Sequence, residues 1–97
     1  MRKPLILGKD IRQLDKDVEL CRTTNERISN QAAQLLIRNQ IPFTRNWIRI
    51  PFFLREKYRG AEQFYVISTN RNRYAQARRA LDEMDSVFRR RLIVSNY

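Results

Sequence analysis

The stretch at residues 43–52 carries the side chains of this sequence best suited to binding chemistry. Two sets of residues alternate along it. One set is Thr44, Asn46, Ile48 and Ile50, and the other is Phe43, Arg45, Trp47 and Arg49. In a β-strand alternate residues face opposite sides, so one side is aliphatic and the other is aromatic and cationic. Aromatic rings stack on bases and arginines bind polyanions, whereas an aliphatic side suits a core. The spacing therefore predicts a two-faced strand with a candidate binding face.

Other cationic and aromatic residues extend this candidate face. A basic cluster near the C-terminus could contact phosphates, and the alternative is a solvated helix end that complements the helix dipole. For Phe43 and Trp47 the alternative is burial in a homodimer or under the loop at residues 52–62. The full candidate face contains Phe43, Arg45, Trp47, Arg49, Tyr65, Arg71, Arg73, Arg89, Arg90 and Arg91.

Several kinds of chemistry are excluded or disfavoured by composition. The chain has no histidine, which rules out histidine bases, histidine metal sites and histidine pH sensors. Its two glycines, Gly8 and Gly60, are too far apart for a phosphate-binding loop. An acidic cluster at residues 82–85 is typical of a solvated, ion-paired helix face. We expect no enzymatic activity, no cofactor and no metal.

Cys21 is the single cysteine, so no intramolecular disulfide can form and a reducing cytoplasm is the expected compartment. We expect its side chain to pack in a strand, and the alternative is a thiol activated by Arg22. No stretch has the length of a signal peptide's apolar region or of a membrane span.

Length predicts a single domain, and charge predicts an anionic partner. A chain of 97 residues forms one domain, spanning residues 1–97. Its net charge is +10, and 16 of its 20 basic residues are arginines. Guanidinium groups bind phosphate or carboxylate in a forked geometry, so the charge favours anionic partners, although a GC-rich genome would produce the same bias.

The first half of the chain predicts a strand, a helix and a strand. Residues 1–16 show no sustained period and are interpreted as a lead-in arm. Residues 17–22 alternate as a short strand, and Thr23 with Glu26 has the spacing of a capping box for a helix over about 25–39. Pro42 ends that region, the two-faced strand follows, and residues 52–62 are predicted to form a loop with a helical turn.

The second half predicts a strand, a helix and a short final strand. Residues 63–68 form an apolar run typical of a buried central strand. Candidate caps at Thr69, Asn70 and Asn72 precede a second helix whose apolar stripe runs from Tyr74 to Phe88. The core thus covers residues 17–88, and residues 89–97 are a basic tail or, at residues 92–94, a last strand.

This order of elements predicts an α+β fold of the ferredoxin-like split βαβ type, order βαββα with an optional C-terminal strand. Right-handed crossovers place the first and third strands centrally, with Val18 and Leu20 beneath the helices. Cys21 and the aromatic and cationic side of the second strand are then expected on the opposite, open face of the sheet.

A resemblance supports this fold. The residues from Leu35 to Phe43, which include Asn39, Gln40, Ile41 and Pro42, followed by a strand and an Ala- and Arg-rich helix, resemble small prokaryotic signal-transducing domains with a P-II-like ferredoxin fold. The similarity covers about residues 17–84, and Gln40 stands where that family favours glycine. It implies a small regulatory or interaction domain and transfers no catalytic or ligand-binding residue.

Two functional hypotheses remain open. In the first, the chain is a non-enzymatic regulatory module whose open sheet face binds a second copy or another protein, with Phe43 and Trp47 as anchors. In the second, the same face binds RNA or single-stranded DNA through its arginines, with Trp47 stacking on a base.

Overall fold

The computed structural model describes residues 5–7 and 17–95, which form one antiparallel β-sheet and three α-helices. The strand order in the sheet is β1-β3-β4-β2-β5. The strands are β1 (Leu5–Leu7), β2 (Asp17–Thr23), β3 (Phe43–Arg49), β4 (Gln63–Asn70) and β5 (Ile93–Val94). The helices are α1 (Glu26–Arg38), α2 (Tyr74–Leu81) and α3 (Ser86–Arg89).

The order of the strands confirms an α+β architecture compatible with a ferredoxin-like fold. β4 and β2 lie between β3 and β5, so the two strands predicted to be central are central. The optional last strand forms and pairs with β2 at Cys21 and Arg22. The sequence missed β1, whose three residues lie within the predicted arm and pair with the start of β3. The rest of that arm lies outside the described residues.

The main core lies between the helices and one side of the sheet. α1 turns Ile28, Ala32 and Leu36 toward the sheet, and α2 adds Ala77 and Leu81, as the helical spacing predicted. β4 contributes Ile67. Because apolar residues recur every three or four positions, each helix buries one stripe and leaves its charged side in water.

A β-bulge in β2 explains why Leu20 and Cys21 are both fully buried. The register with β4 shifts between Glu19 and Cys21, so Leu20 is an extra residue on that strand. A bulge breaks the two-residue alternation, and both side chains join the main core. The expectation that Cys21 lies on the open face is therefore wrong.

β3 also turns toward the helices the side that was expected on the open face. Phe43 pairs with Thr69 and Arg45 pairs with Ile67, and directly opposed residues of an antiparallel pair share a face. Phe43 is 1 % exposed and belongs to the main core under the helices. The aromatic and cationic set thus lies on the helix side, and Ile48 lies on the open side. The large ring of Phe43 fills core space that the aliphatic set was expected to fill.

The ends of α1 are set by local hydrogen bonds. Asn25, rather than Thr23, is the N-cap, because its Oδ1 accepts from the backbone N–H groups of Arg27 and Ile28 at 2.9 and 3.3 Å. Past the C-terminus, Gln40 adopts a left-handed conformation with φ of 59°. The N–H of Ile41 then donates to the carbonyl of Leu36 at 2.9 Å, which closes the helix end.

The second helix is shorter than its apolar stripe predicted. α2 ends at Leu81, and Asp85 begins α3 by accepting from the N–H of Val87 at 2.9 Å. An aspartate placed to cap a new helix competes with continuation of the old one. The acids at residues 82–83 favour the same break, since they oppose the dipole at a helix C-terminus. Met84 remains buried in the main core despite the break.

Gln40→Gly should stabilise the protein, because glycine adopts the left-handed conformation without the steric cost that a Cβ brings. We expect the free energy of unfolding to rise by up to about 1 kcal/mol in urea denaturation followed by circular dichroism. Gln34→Gly, an exposed position inside α1, is the control and should lower it by about 1 kcal/mol. A loss of stability in Gln40→Gly would contradict the left-handed assignment.

Phe43→Ala should destabilise the protein by about 3 to 5 kcal/mol, the usual cost of removing a fully buried phenylalanine. Trp47→Ala removes a larger ring from the same side of the same strand, but that ring is 39 % exposed. We expect a clearly smaller loss for it in the same denaturation experiment. Equal losses, or a larger one for Trp47→Ala, would contradict the burial of Phe43 in the main core and the exposure of Trp47.

Candidate functional site

The predicted binding face is partly used up by the fold. Phe43 is buried, and Arg45 is tied to α1 by hydrogen bonds from its guanidinium to Asn30 Oδ1 at 2.7 Å and to Ser29 Oγ at 3.3 Å. Arg45 therefore closes the margin between β3 and α1. Neither residue is available as an anchor for a partner, which removes Phe43 from the interaction hypothesis.

The other end of β3 keeps part of the predicted face. Trp47 pairs with Tyr65 and Arg49 pairs with Gln63, so all four side chains share the helix side of the sheet. Trp47 and Arg49 are exposed, and Tyr65 is half-buried. The Tyr65 hydroxyl accepts a hydrogen bond from Gln63 Nε2 at 3.0 Å. This row of residues, the Trp47 row, is the only predicted pairing of aromatic and cationic side chains that the described structure brings together.

The remaining predicted arginines are scattered over the molecule. Arg71 and Arg73 follow the end of β4, which lies beside Phe43 and so at the opposite end of the sheet from Arg49. Arg73 Nη1 donates to Gln76 Oε1 at 2.8 Å. Arg89 is half-buried, with Nη2 3.9 Å from Asp82 Oδ1. Arg90 and Arg91 are exposed after α3. The ten predicted residues do not form one surface.

The open face of the sheet is partly covered by the chain between β3 and β4. A second apolar cluster forms there from Ile50, Phe64 and Val66, with Tyr58 and Ala61 packed against it. The rings of Tyr58 and Phe64 meet edge to face, with centroids 4.8 Å apart. This covering is a structural feature that the pattern of residues 52–62 did not predict.

Arg22 borders this second cluster from β2. Its Cζ lies 5.1 Å from the centre of the Phe64 ring, in cation–π geometry. Its Nε and Nη2 donate to both carboxylate oxygens of Glu19, at 2.7 and 2.6 Å, and this hydrogen bonding raises the pKa of Arg22. Arg22 is thus committed to neighbours within the chain.

The uncovered part of the open face is a recess of about 380 Å³. Two carboxylates and no cation line it among the described residues, and the nearby Arg22 is already paired with one of them, Glu19, so the recess is a poor surface for nucleic acid. Its lining residues are Asp17, Glu19, Thr44, Asn46, Ile48, Val66 and Ser68.

The most exposed apolar residues lie just beyond β3, in a 3₁₀ turn at Phe52–Leu54 that we call the aromatic turn. Phe52 is 80 % exposed and Phe53 is 71 % exposed. Their rings meet edge to face with centroids 5.8 Å apart. The turn is fastened to the strand end, because Arg55 Nε donates to the carbonyl of Ile50 at 3.2 Å. Sequence reasoning treated these residues as loop filling, although two adjacent phenylalanines after a proline were a usable signal.

Cys21 is chemically quiet. Burial raises the pKa of its thiol from 9.0 to about 12, since the thiolate would lose its hydration; Glu19 raises the pKa further, and Arg89 opposes the rise. The thiol is therefore neutral across the physiological range. Packing in the strand, and not activation by Arg22, describes this residue.

Within the described residues, no group of His, Cys, Asp or Glu side chains is placed to hold a metal ion. Among the helices that the structure describes, none has the length and apolarity required to cross a bilayer. The chain has no significant match to a protein-family model, a curated protein or a solved structure. The resemblance to signal-transducing domains therefore stays a prediction.

Cys21 should react with a thiol reagent such as DTNB only when the protein unfolds, because the thiol is fully buried and protonated. The unfolded thiol ionises near 9.0 and the folded one near 12, so the folded state loses stability as pH rises from about 9 toward 12. Labelling should accelerate over that range by more than the reagent's reaction with glutathione does. Rapid, stoichiometric labelling of the native protein near pH 8 would contradict the burial of Cys21.

Proposed function

We propose that this chain is a non-enzymatic regulatory or interaction module of ferredoxin-like fold that binds a partner protein. The fold assignment is supported by the strand order, in which the four strands β3-β4-β2-β5 repeat the arrangement of a split βαβ sheet, with β1 added at the β3 edge. A role in signal transduction is supported by the resemblance alone.

The observation that carries the interaction proposal is the exposure of the aromatic turn. Burying both phenylalanine rings in a partner would contribute about 3 to 6 kcal/mol before association costs. Aromatic side chains in a cluster are typical anchors of protein interfaces. The exposed Ile48, on the open side of the same strand end, adds apolar surface nearby in the chain. The interaction surface thus moves from the sheet centre to the end of β3.

The charge around this turn indicates the chemistry of the partner. Residues 49–59 contain four cations, Arg49, Arg55, Lys57 and Arg59, and one acid, Glu56. A second copy would bring the same cations and a net charge of +10 to the interface, which disfavours self-association. A partner with an apolar groove and an acidic rim is complementary in both respects.

A second candidate function is nucleic-acid binding at the Trp47 row. The exposed indole of Trp47 and the exposed guanidinium of Arg49 support it, because a base can stack on one while a phosphate contacts the other. Arg45 is already bonded to α1, and Arg71 and Arg73 lie at the far end of the sheet, so only part of the arginine set remains for this role. If the chain binds nucleic acid here, an oligonucleotide should quench Trp47 fluorescence saturably, and this binding should weaken as salt is added.

Photocrosslinking in the producing cell tests the interaction proposal. The change Phe53→p-benzoylphenylalanine should yield a discrete protein adduct, and Val87→p-benzoylphenylalanine, an exposed apolar position on α3, is the control and should not. Adding Phe52→Ser to the probe-bearing chain should reduce the adduct severalfold, because it removes half of the apolar anchor. The melting temperature of this variant should change little, since the side chain of Phe52 is mostly in water.

The outcomes of this experiment separate the hypotheses. A discrete adduct with an acidic protein, whose yield falls when salt is added to a cell lysate before irradiation, supports the proposal. An adduct of twice the chain's mass would mean self-association, and a nuclease-sensitive adduct would favour the second candidate. Adducts of equal yield and pattern from positions 53 and 87 would reject the aromatic turn as an interaction surface.

A further inference from the structure

We propose that a cavity beside the end of β2 binds a small ligand that carries two or more phosphate groups. The cavity has a volume of about 610 Å³, within the range of small-molecule sites. No residue of the aromatic turn or the Trp47 row lines it, and the proposal does not depend on either, although Lys57 and Arg59 also belong to the four cations near the turn. Its lining residues are Thr23, Thr24, Asn25, Lys57, Tyr58, Arg59, Gly60, Ala61 and Arg91.

Three cations from two separate parts of the chain converge on this cavity. Lys57 and Arg59 come from the connection between β3 and β4, and Arg91 comes from the turn after α3. None of its lining residues is an aspartate or glutamate. Like charges repel, so a fold that collects three of them around one space without an acid favours an anion between them.

These cations are free to bind. No carboxylate among residues 17–95 lies within salt-bridge distance of Lys57, Arg59 or Arg91. Lys57 Nζ lies 5.7 Å from the centre of the Tyr58 ring, a contact that leaves its N–H donors available. By contrast, Arg22, Arg45 and Arg73 are already bonded to side chains of the protein.

The backbone holds Arg59 in place at the cavity. Arg59 and Gly60 have φ values of 58° and 82°, both left-handed. Two backbone hydrogen bonds close the turn. The N–H of Gly60 donates to the carbonyl of Arg55 at 2.7 Å, and the N–H of Ala61 donates to the carbonyl of Tyr58 at 3.2 Å. The left-handed backbone conformation is less favourable for arginine than for glycine or asparagine. Placing a guanidinium at position 59 therefore has a conformational cost.

The number of charges indicates the class of ligand. One carboxylate cannot neutralise three cations, whereas a diphosphate or triphosphate group carries matching charge and enough oxygens for each donor. The first N–H groups of α1 add little, because Asn25 Oδ1 already caps them. The two guanidinium groups and the ammonium therefore carry the recognition.

Binding of inorganic tripolyphosphate and of ATP, measured by calorimetry, tests the proposal with matched triple variants. The cavity variant combines Lys57→Gln, Arg59→Asn and Arg91→Gln, with asparagine chosen because it tolerates the left-handed conformation. The control combines Arg38→Gln, Arg78→Gln and Arg79→Gln on the exposed sides of α1 and α2. Both lower the net charge by three, and all six side chains are partly or fully in water, so both variants should fold.

We expect saturable binding of at least one probe, a loss of about tenfold or more in the cavity variant, and a change of less than about threefold in the control. Equal losses in the two variants would overturn the proposal, since the net charge alone would explain binding. No saturable binding of either probe at millimolar concentration would also overturn it. An oligonucleotide that binds through these cations while tripolyphosphate and ATP do not would replace the small ligand with a nucleic-acid backbone.

Discussion

The burial of Phe43 under the helices is the constraint on which the arrangement of surface side chains depends. A strand alternates with a period of two, so placing one residue in the core assigns a side to every other residue of that strand. Arg45, Trp47 and Arg49 must follow Phe43 onto the helix side. The helices cover the first part of that side and leave its far end open. Phe43 is therefore a core residue, Arg45 bridges to α1, and Trp47 with Arg49 forms an exposed end.

Much of the fold follows from patterns that the chain shows locally. The helical spacing of Ile28, Ala32 and Leu36 predicted α1, and the apolar run before Thr69 predicted the central β4. What failed were features decided by competition between elements. Leu20 becomes a bulge because β2 must register with β4, and α2 stops because Asp85 caps a new helix. β1 has three residues, too few to show a period.

The candidate sites were less predictable than the fold for a related reason. The alternation on β3 was correct, but which side faces the helices depends on whether Phe43 or Ile50 fills the main core, and alternation alone does not decide that. Ile50 instead enters a second cluster, where Tyr58 folds back onto Phe64. This folding back exposes the aromatic turn and brings Lys57 and Arg59 toward Arg91. A sequence pattern contains no information on such a meeting of distant segments.

The position of β2 in the sheet has a kinetic consequence. β2 is made early in the chain, yet its partners are β4, which follows α1 and β3, and β5, near the chain's end. Its edges remain unpaired until those segments have been placed, and such long-range closures slow folding. The β3 and β4 hairpin and α1 involve nearer contacts and can form first. An incomplete chain that lacks β4 would expose both edges of β2, the type of surface that templates aggregation and that chaperones bind.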